Sequence, residues 1–118
     1  MRQLQTREKY TKVYAVDEKG IGGANHEYHI AFDRDNNGYI STQGINFQKG
    51  AIKESKVNGI MNEDLLCIVI DRLQGFQSEK FACRENAIAL TKIEEALMWL
   101  RKRTEDREAR GVEGTHIV

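Results

Sequence analysis

The sequence contains no proline, only two cysteines and no excess of either charge. Without proline, its turns must rely on glycine and asparagine. Eighteen basic and eighteen acidic residues cancel, whereas proteins that read nucleic acids usually carry a basic excess, so DNA is not an expected partner. No apolar run reaches the ~18 residues that cross a bilayer and no signal peptide is evident, so we expect no membrane partner either.

The two cysteines, Cys67 and Cys83, lie in apolar segments. We therefore predict that they are buried structural thiols in a reducing compartment, and the cytosol is the expected location. The length of 118 residues predicts a single domain, because a chain of this size has room for one core.

The N-terminal part, residues 1–57, is predicted to be mainly β. Short aromatic and β-branched segments, typical of strands, recur there at residues 9–16, 27–32, 38–43 and 45–48. The segments "EKGIGGAN" and "DRDNNG" supply turn residues between them. We expect a small antiparallel β-meander with one face that needs cover.

The C-terminal part is predicted to be helical. Asn62 is a favourable cap for a helix over residues 62–77. Its apolar residues follow at helical spacing: Leu65, Leu66, Val69, Ile70, Leu73 and Phe76. A longer helix is predicted over residues 82–110, with an apolar stripe made of Ile88, Leu90, Ile93, Leu97 and Leu100. Glycine at position 111 is a helix-stop signal, so residues 111–118 form a C-terminal tail.

The expected fold class is α+β, with the β-meander packed on the two helices. The last helix would be roughly 40 Å long at about 1.5 Å per residue, which is more than so small a core can cover. The surplus length predicts a partner helix, most simply from a second copy of the chain, so this helix is expected to mediate oligomerisation.

One acidic segment matches the start of an EF-hand calcium loop. Asp33, Asp35 and Asn37 stand at the first ligand positions, but Gly44 occupies the place of the closing bidentate glutamate. The flanking segments also have the composition of strands, where the motif requires helices. A hairpin turn is therefore expected here.

Two further motifs invite a metal or phosphate interpretation. His26 and His29 would point to opposite faces of a strand, which disfavours zinc. The loop "GIGGAN", residues 20–25, lacks the lysine of a P-loop, so a hairpin connection is favoured over backbone amides that meet a ligand. We expect no metal site and no cofactor.

The end of the last helix has the composition of an anion-binding site. Arg103, Arg107 and Arg110 share one side of the helix, and either a solvated face neutralised by neighbouring acids or a phosphate site explains them. The glycines and Thr115 of the tail add backbone amides and a hydroxyl to these guanidinium groups. Together they suit a phosphate or pyrophosphate.

Two residues outside that cluster also fit a nucleotide. Asn86 places an amide on the apolar stripe of the last helix, and a buried amide needs partners in the protein or in a ligand. Phe76 follows a glycine at the end of the preceding helix and would offer a stacking surface for a base.

Residues 45–118 carry a family resemblance. The segment "FQKGAIKESKVNGIMNEDLLCIVIDRLQGFQSEKFACRENAIALTKIEEALMWL", followed by "RTEDREARGVEGTH", resembles the first family of Thoeris anti-defence proteins. These are small proteins of bacteriophages and prophages that act as signal sponges. The elements "FQ.G", "NG...EDLL" and "RGVEGTH" are specific in combination.

The resemblance implies a sponge and not an enzyme. Such proteins bind glycocyclic ADP-ribose, the nucleotide signal made by host TIR-domain enzymes, and sequester it without cleaving it in the cytoplasm of the infected bacterium. They assemble from dimers, with hexamers as trimers of dimers among the higher assemblies. Some members hold cyclic oligonucleotides at a separate site.

The resemblance also implies which residues bind. Phe76 matches the aromatic that stacks on the adenine, and Asn86 matches the helix asparagine. Arg103 and Arg107 match arginines that face the pyrophosphate where two protomers meet. Position and chemistry further predict that the tail, with Thr115 and His116, closes over the ligand. No residue is assigned a catalytic or metal-binding role.

Two alternatives stay open from the sequence. A cyclic-nucleotide hydrolase would need a general base near the phosphates, and His116 is the tail residue that could serve. A protein-interaction module would use the last helix only to pair with a partner protein. Intact bound nucleotide would indicate the sponge, cleaved nucleotide the hydrolase, and no bound nucleotide the interaction module.

Overall fold

The computed structural model describes residues 1–4 and 7–118, which form two compact units, Met1–Ile60 and Met61–Val118. The first unit is a four-stranded sheet whose strands lie side by side in chain order. The strands are β1 (Arg2–Gln3), β2 (Thr11–Ala15), β3 (Glu27–Asp33) and β4 (Ile40–Asn46). All neighbouring strands are antiparallel.

The α+β class and the antiparallel meander are confirmed. Two predicted segments, residues 38–43 and 45–48, contribute to the single strand β4, because Gly44 stays extended and pairs with His29. The packing of the sheet on the helices and the single domain stay predictions.

The connection between β2 and β3 closes on the carboxylate of Asp17. This carboxylate accepts hydrogen bonds from the backbone N–H of His26 at 3.0 Å and of Glu27 at 3.2 Å. The Asn25 amide donates to the Asp17 carbonyl at 2.7 Å, and Arg2 donates to the Asn25 amide oxygen at 2.9 Å. The loop at residues 20–25 is thus a hairpin connection with internal hydrogen bonds. The Gly20 N–H donates to the Ala24 carbonyl, and the Gly23 N–H donates to the Gly20 carbonyl.

Acid should weaken this connection through Asp17. Burial raises the pKa of that carboxyl, but the N–H groups of Glu27 and His26 and the Asn25 amide outweigh it, so the pKa lies below its ordinary value. The stabilisation is therefore present at neutral pH and is lost as the pH falls through the lowered pKa, below about 4. We expect Asp17→Asn to lower the urea midpoint at pH 7 and to flatten the acid limb of a stability–pH profile.

The exposed neighbour Glu18 supplies the control for that experiment. Glu18→Gln should leave the profile close to that of the parent. A profile of Asp17→Asn that is as steep below pH 4 as the parent's would contradict the role given to Asp17.

The connection between β3 and β4 is a hairpin turn, as predicted. A 3-10 turn spans Arg34–Asn36, and the Asp33 carboxylate accepts hydrogen bonds from the N–H groups of Asn37 and Gly38 at 3.1 Å. Asp33 thereby caps its own loop.

A second loop, residues 47–60, contains the short helix α1 (Ile52–Ser55). Gln48 and Asn58 hold it: the Asn58 N–H donates to the Gln48 side chain at 2.9 Å, and the Lys49 N–H donates to the Asn58 side chain at 2.8 Å. At Gly59 a Cβ atom would lie 2.5 Å from the Phe47 carbonyl carbon, so only glycine permits this approach of two backbone segments. The "FQ.G" and "NG" elements are therefore loop-forming elements.

The second unit is a helical hairpin of α2 (Asn62–Gln77) and α3 (Arg84–Ala109). The cap of α2 is Met61 and not Asn62, because the Asp64 carboxylate accepts the Met61 N–H at 2.8 Å. The cap thus lies one residue earlier than predicted, and Asn62 is the first residue of the helix. The Gln77 side chain accepts the Cys83 N–H at 3.0 Å and closes the turn between the helices.

The two helices pack along regularly spaced seams. The half-buried or buried seam positions of α3 alternate at spacings of four and three: Asn86, Leu90, Ile93, Leu97, Leu100, Thr104 and Arg107. Those of α2 follow the same rule: Glu63, Leu66, Ile70, Leu73 and Gln77. This spacing keeps one stripe of each helix facing the other.

Two predictions about burial are wrong. Ile88 is 41% exposed, because it falls between the seam positions Asn86 and Leu90 and points away from α2. Cys67 and Cys83 are both exposed, since neither position falls on a seam. Their sulfur atoms accept hydrogen bonds from the Arg101 guanidinium at 3.6 Å and from the Asn86 N–H at 3.4 Å, respectively.

Over residues 1–4 and 7–118, no helix is both long enough and apolar enough to cross a membrane.

Candidate functional site

The turn between α2 and α3 forms an open concavity of about 480 Å³. Ligand pockets typically enclose roughly 300–1,000 Å³, so this volume suits a nucleoside-sized group. Its lining residues are Asp71, Arg72, Gly75, Phe76, Ser78, Glu79 and Phe81. We refer to this feature as the turn concavity.

Phe76 and Phe81 are the aromatic residues of the turn concavity, and they are 38% and 64% exposed, respectively. The Phe76 ring meets that of Phe81 edge to face, with centroids 6.3 Å apart. The guanidinium of Arg72, one helical turn earlier, lies 5.4 Å from the Phe76 centroid. A flat ligand can therefore be held by two aromatic rings and a cation.

Gly75 keeps that aromatic surface accessible. No atom lies within 4 Å of the place where a Cβ atom on Gly75 would stand, so the missing side chain leaves open space beside Phe76. The glycine also sits inside α2, where it costs about 1 kcal/mol relative to alanine.

The charges of the turn concavity favour the neutral part of a nucleotide. Asp71 and Glu79 bring two carboxylates, against the single guanidinium of Arg72. Carboxylates accept hydrogen bonds from hydroxyl groups and repel phosphates. A base with its ribose suits this end of the hairpin better than a pyrophosphate does.

Asn86 lies in the first turn of α3 and is half-buried on the seam, four residues before Leu90, as the sequence predicts. Its backbone N–H donates to the sulfur of Cys83. Its side-chain amide makes no hydrogen bond within the described part of the chain. The amide is not hidden from solvent, so its donor and acceptor groups are accessible to a ligand.

The other end of α3 carries the arginines and the tail. Gly111, with φ of 73°, takes the left-handed conformation that ends the helix. The Gly111 N–H donates to the Glu108 carbonyl and the Val112 N–H to the Arg107 carbonyl, both at 3.0 Å. The tail therefore folds back onto the helix end in a Schellman motif.

Arg107 and Arg103 differ in their surroundings. Arg107 is half-buried, and its guanidinium donates to the carbonyls of Val112 at 3.1 Å and Thr115 at 3.0 Å. Arg103 is exposed and has no hydrogen bond or ion pair among the described residues. Its guanidinium is free to bind an anion.

The predicted site residues thus form two groups within one chain. Phe76 and Asn86 lie at the turn between the helices, whereas Arg103, Arg107, Thr115 and His116 lie at the far end of α3. Asn86 and Arg103 are 17 residues apart, which corresponds to roughly 25 Å along a helix. One chain does not bring the two groups together.

Sequence reasoning missed the other residues of the turn concavity. Arg72 stands four positions before Phe76 on the same helix, so helical spacing alone could have placed it beside the ring. Phe81 and Glu79 lie in the irregular turn, where no periodicity predicts a direction.

Comparison with known proteins matches residues 40–105 to the Acb2/Tad1 hairpin domain. Thoeris anti-defense 1 of Bacillus phage SBSphiJ7 is 65% identical over 72 residues, which cover 61% of this chain and 51% of that protein. The chain thus spans about half the length of this curated relative. These matches confirm the family resemblance inferred from the sequence.

Proposed function

Because this chain belongs to the Acb2/Tad1 hairpin-domain family, we propose that it is a phage anti-Thoeris protein that sequesters the host signal glycocyclic ADP-ribose. It holds the signal without cleaving it, in the cytoplasm of the infected bacterium. The observation that carries the proposal is the exposed ring of Phe76 in a concavity of nucleoside size, at the same turn of the hairpin as Asn86.

The turn concavity receives the adenosine part of the signal. The base stacks on Phe76, and Asn86 offers its amide as both donor and acceptor to the base or sugar. The carboxylates of Asp71 and Glu79 accept hydrogen bonds from ribose hydroxyls. This division agrees with the negative charge at that end of the hairpin.

The pyrophosphate is bound by the far end of α3. Arg103 has an unused guanidinium, which can engage a phosphate through two parallel hydrogen bonds. The tail adds the backbone N–H groups of Glu113 and Gly114 and the ring of His116, whereas the Thr115 hydroxyl already donates to the Val112 carbonyl. The negative charge of the ligand thus meets the guanidinium of Arg103.

A second copy of the chain brings the two ends together. If two α3 helices run antiparallel, the turn concavity of one protomer lies beside Arg103 of its partner. The burial pattern supports assembly: over the described residues, Ala15 and Leu97 are the apolar side chains that are fully buried. A chain with so few buried apolar groups gains stability by covering its exposed ones in an oligomer.

A sponge needs affinity and slow release, and it needs no groups that act in a transition state. The two ends of the hairpin provide stacking, amide and guanidinium groups. Binding near nanomolar Kd, worth roughly 12 kcal/mol, would compete with a host sensor of similar affinity.

A release assay tests the proposal. Purified protein is incubated with glycocyclic ADP-ribose, freed of unbound nucleotide by desalting and then heat-denatured, and the supernatant is analysed by mass spectrometry. We expect intact signal at close to one equivalent per site. A cleaved product would identify a hydrolase instead, and no bound nucleotide would contradict the proposal in favour of a protein-interaction module.

A further inference from the structure

The C-terminal tail contains a tight turn that Arg107 holds at both ends. The Thr115 N–H donates to the Val112 carbonyl at 3.1 Å, and Gly114, the third residue of this turn, has φ of 77°. This geometry is that of a type II turn, which favours glycine at that position. The guanidinium of Arg107 donates to the carbonyls of the first and last residues of the turn.

The Val112 carbonyl is the central acceptor of the tail. It receives the Arg107 guanidinium, the Thr115 N–H and the Thr115 hydroxyl. Charge-assisted hydrogen bonds are stronger than neutral ones, so Arg107 contributes the strongest of the three. The tail is therefore ordered by bonds within the chain and requires no ligand for its shape.

Two backbone groups of the turn remain unused. The N–H groups of Glu113 and Gly114, which lie between the two carbonyls that Arg107 holds, have no acceptor within the described part of the chain. Consecutive free N–H groups in a turn attract anions. These donors lie between the two carbonyls to which Arg107 donates, so the guanidinium helps to fix their position.

We infer that Arg107 is a positioning residue that fixes the tail before the ligand arrives, and that it does not itself bind the pyrophosphate. To turn toward a phosphate, its guanidinium would have to release the carbonyls of Val112 and Thr115. Arg103 has no hydrogen bond to break within the described residues. We therefore assign the phosphate contacts to Arg103 and to the N–H groups of the turn. This inference rests on the proposed function for its effect on signal retention, but not for its effect on the tail.

The first experiment measures how well ordered the tail is in the absence of ligand. Hydrogen–deuterium exchange of the C-terminal peptide is compared in the full-length parent, Arg107→Lys and Arg103→Lys. Lysine keeps the charge but lacks the planar fork. We expect exchange to rise on the order of tenfold in Arg107→Lys, since the shorter lysine side chain loses the two guanidinium hydrogen bonds to the tail, and to stay unchanged in Arg103→Lys. Unchanged exchange in Arg107→Lys would overturn the inference.

The second experiment tests whether Arg107 acts through the tail. Gly114→Val disrupts the type II turn, because valine is strained at positive φ. Release rates of glycocyclic ADP-ribose are measured for Arg107→Lys, Gly114→Val and the double variant. We expect each single change to speed release by on the order of tenfold and the double variant to be no faster than the faster single one. Multiplied effects in the double variant would show direct phosphate contact and overturn the inference.

The two experiments separate this inference from the proposed function. If the parent retains no signal, the proposed function fails, while the exchange measurement still decides whether Arg107 orders the tail.

Discussion

Phe76→Ala should strongly weaken the binding of glycocyclic ADP-ribose. Stacking on an aromatic side chain is worth about 1–3 kcal/mol per base, which corresponds to roughly 5- to 150-fold in affinity. The ring is 38% exposed, so its loss should cost little folding stability. The change also removes the surface beneath the Arg72 guanidinium, which places the full effect toward the upper end of that range. Calorimetric titration of the assembled protein measures it.

Tyr39 offers a matched control for Phe76. It is an aromatic residue of the first unit, 78% exposed, and Tyr39→Ala should leave affinity within about twofold of the parent, as surface changes away from a site usually do. The single change Asn86→Ala should lower the affinity for the signal, as Phe76→Ala does. If both Phe76→Ala and Asn86→Ala hold the signal as well as the parent does, the binding site lies elsewhere.

Leu97→Ala should produce the largest loss of stability among single changes in the helical hairpin. Leu97 is 5% exposed and is the buried apolar residue of the second unit. Truncating a buried leucine costs about 2–5 kcal/mol, since transfer free energy is lost and a cavity remains. The free energy of unfolding should fall by that amount in urea titrations monitored by circular dichroism.

Ile88 provides the comparison on the same helix. It is 41% exposed and lies off the seam, so Ile88→Ala should cost less than about 1 kcal/mol. A loss at Leu97 no larger than the loss at Ile88 would contradict the assignment of Leu97 to the core. Because assembly adds to apparent stability, all variants should be compared at one protein concentration.

The family motifs were informative for a reason that the sequence did not reveal. Gln48, Asn58 and Gly59 belong to the elements that carry the resemblance, and each holds a loop through side-chain hydrogen bonds or a close backbone approach. The glycines of "RGVEGTH" likewise take positive φ values in the tail. These elements therefore identify the fold, whereas the proposed ligand chemistry rests on Phe76 and Asn86.

The candidate site could be predicted only in part. Phe76 was identified because it follows a glycine at the end of a helix, and Asn86 because it places an amide on an apolar stripe; both also match residues of the family. Arg107 was assigned to the phosphate because the family resemblance matches it to an arginine that faces the pyrophosphate and because its spacing from Arg103 is helical. Spacing shows that two side chains share a face, but it does not show that one of them donates to the carbonyls of a tail that folds back.

The sequence by itself determined the order and type of the elements: a meander of short strands, then two helices, with a helix stop at Gly111. These features follow from local periodicity and turn chemistry, which each segment carries in its own residues. Tertiary structure decided which side chains are buried and which donors are used. The exposure of the cysteines and of Ile88 depends on how the two helices pack against each other. The hydrogen bonds of Arg107 depend on how the tail folds back onto the helix. Sequence periodicity contains no information about either.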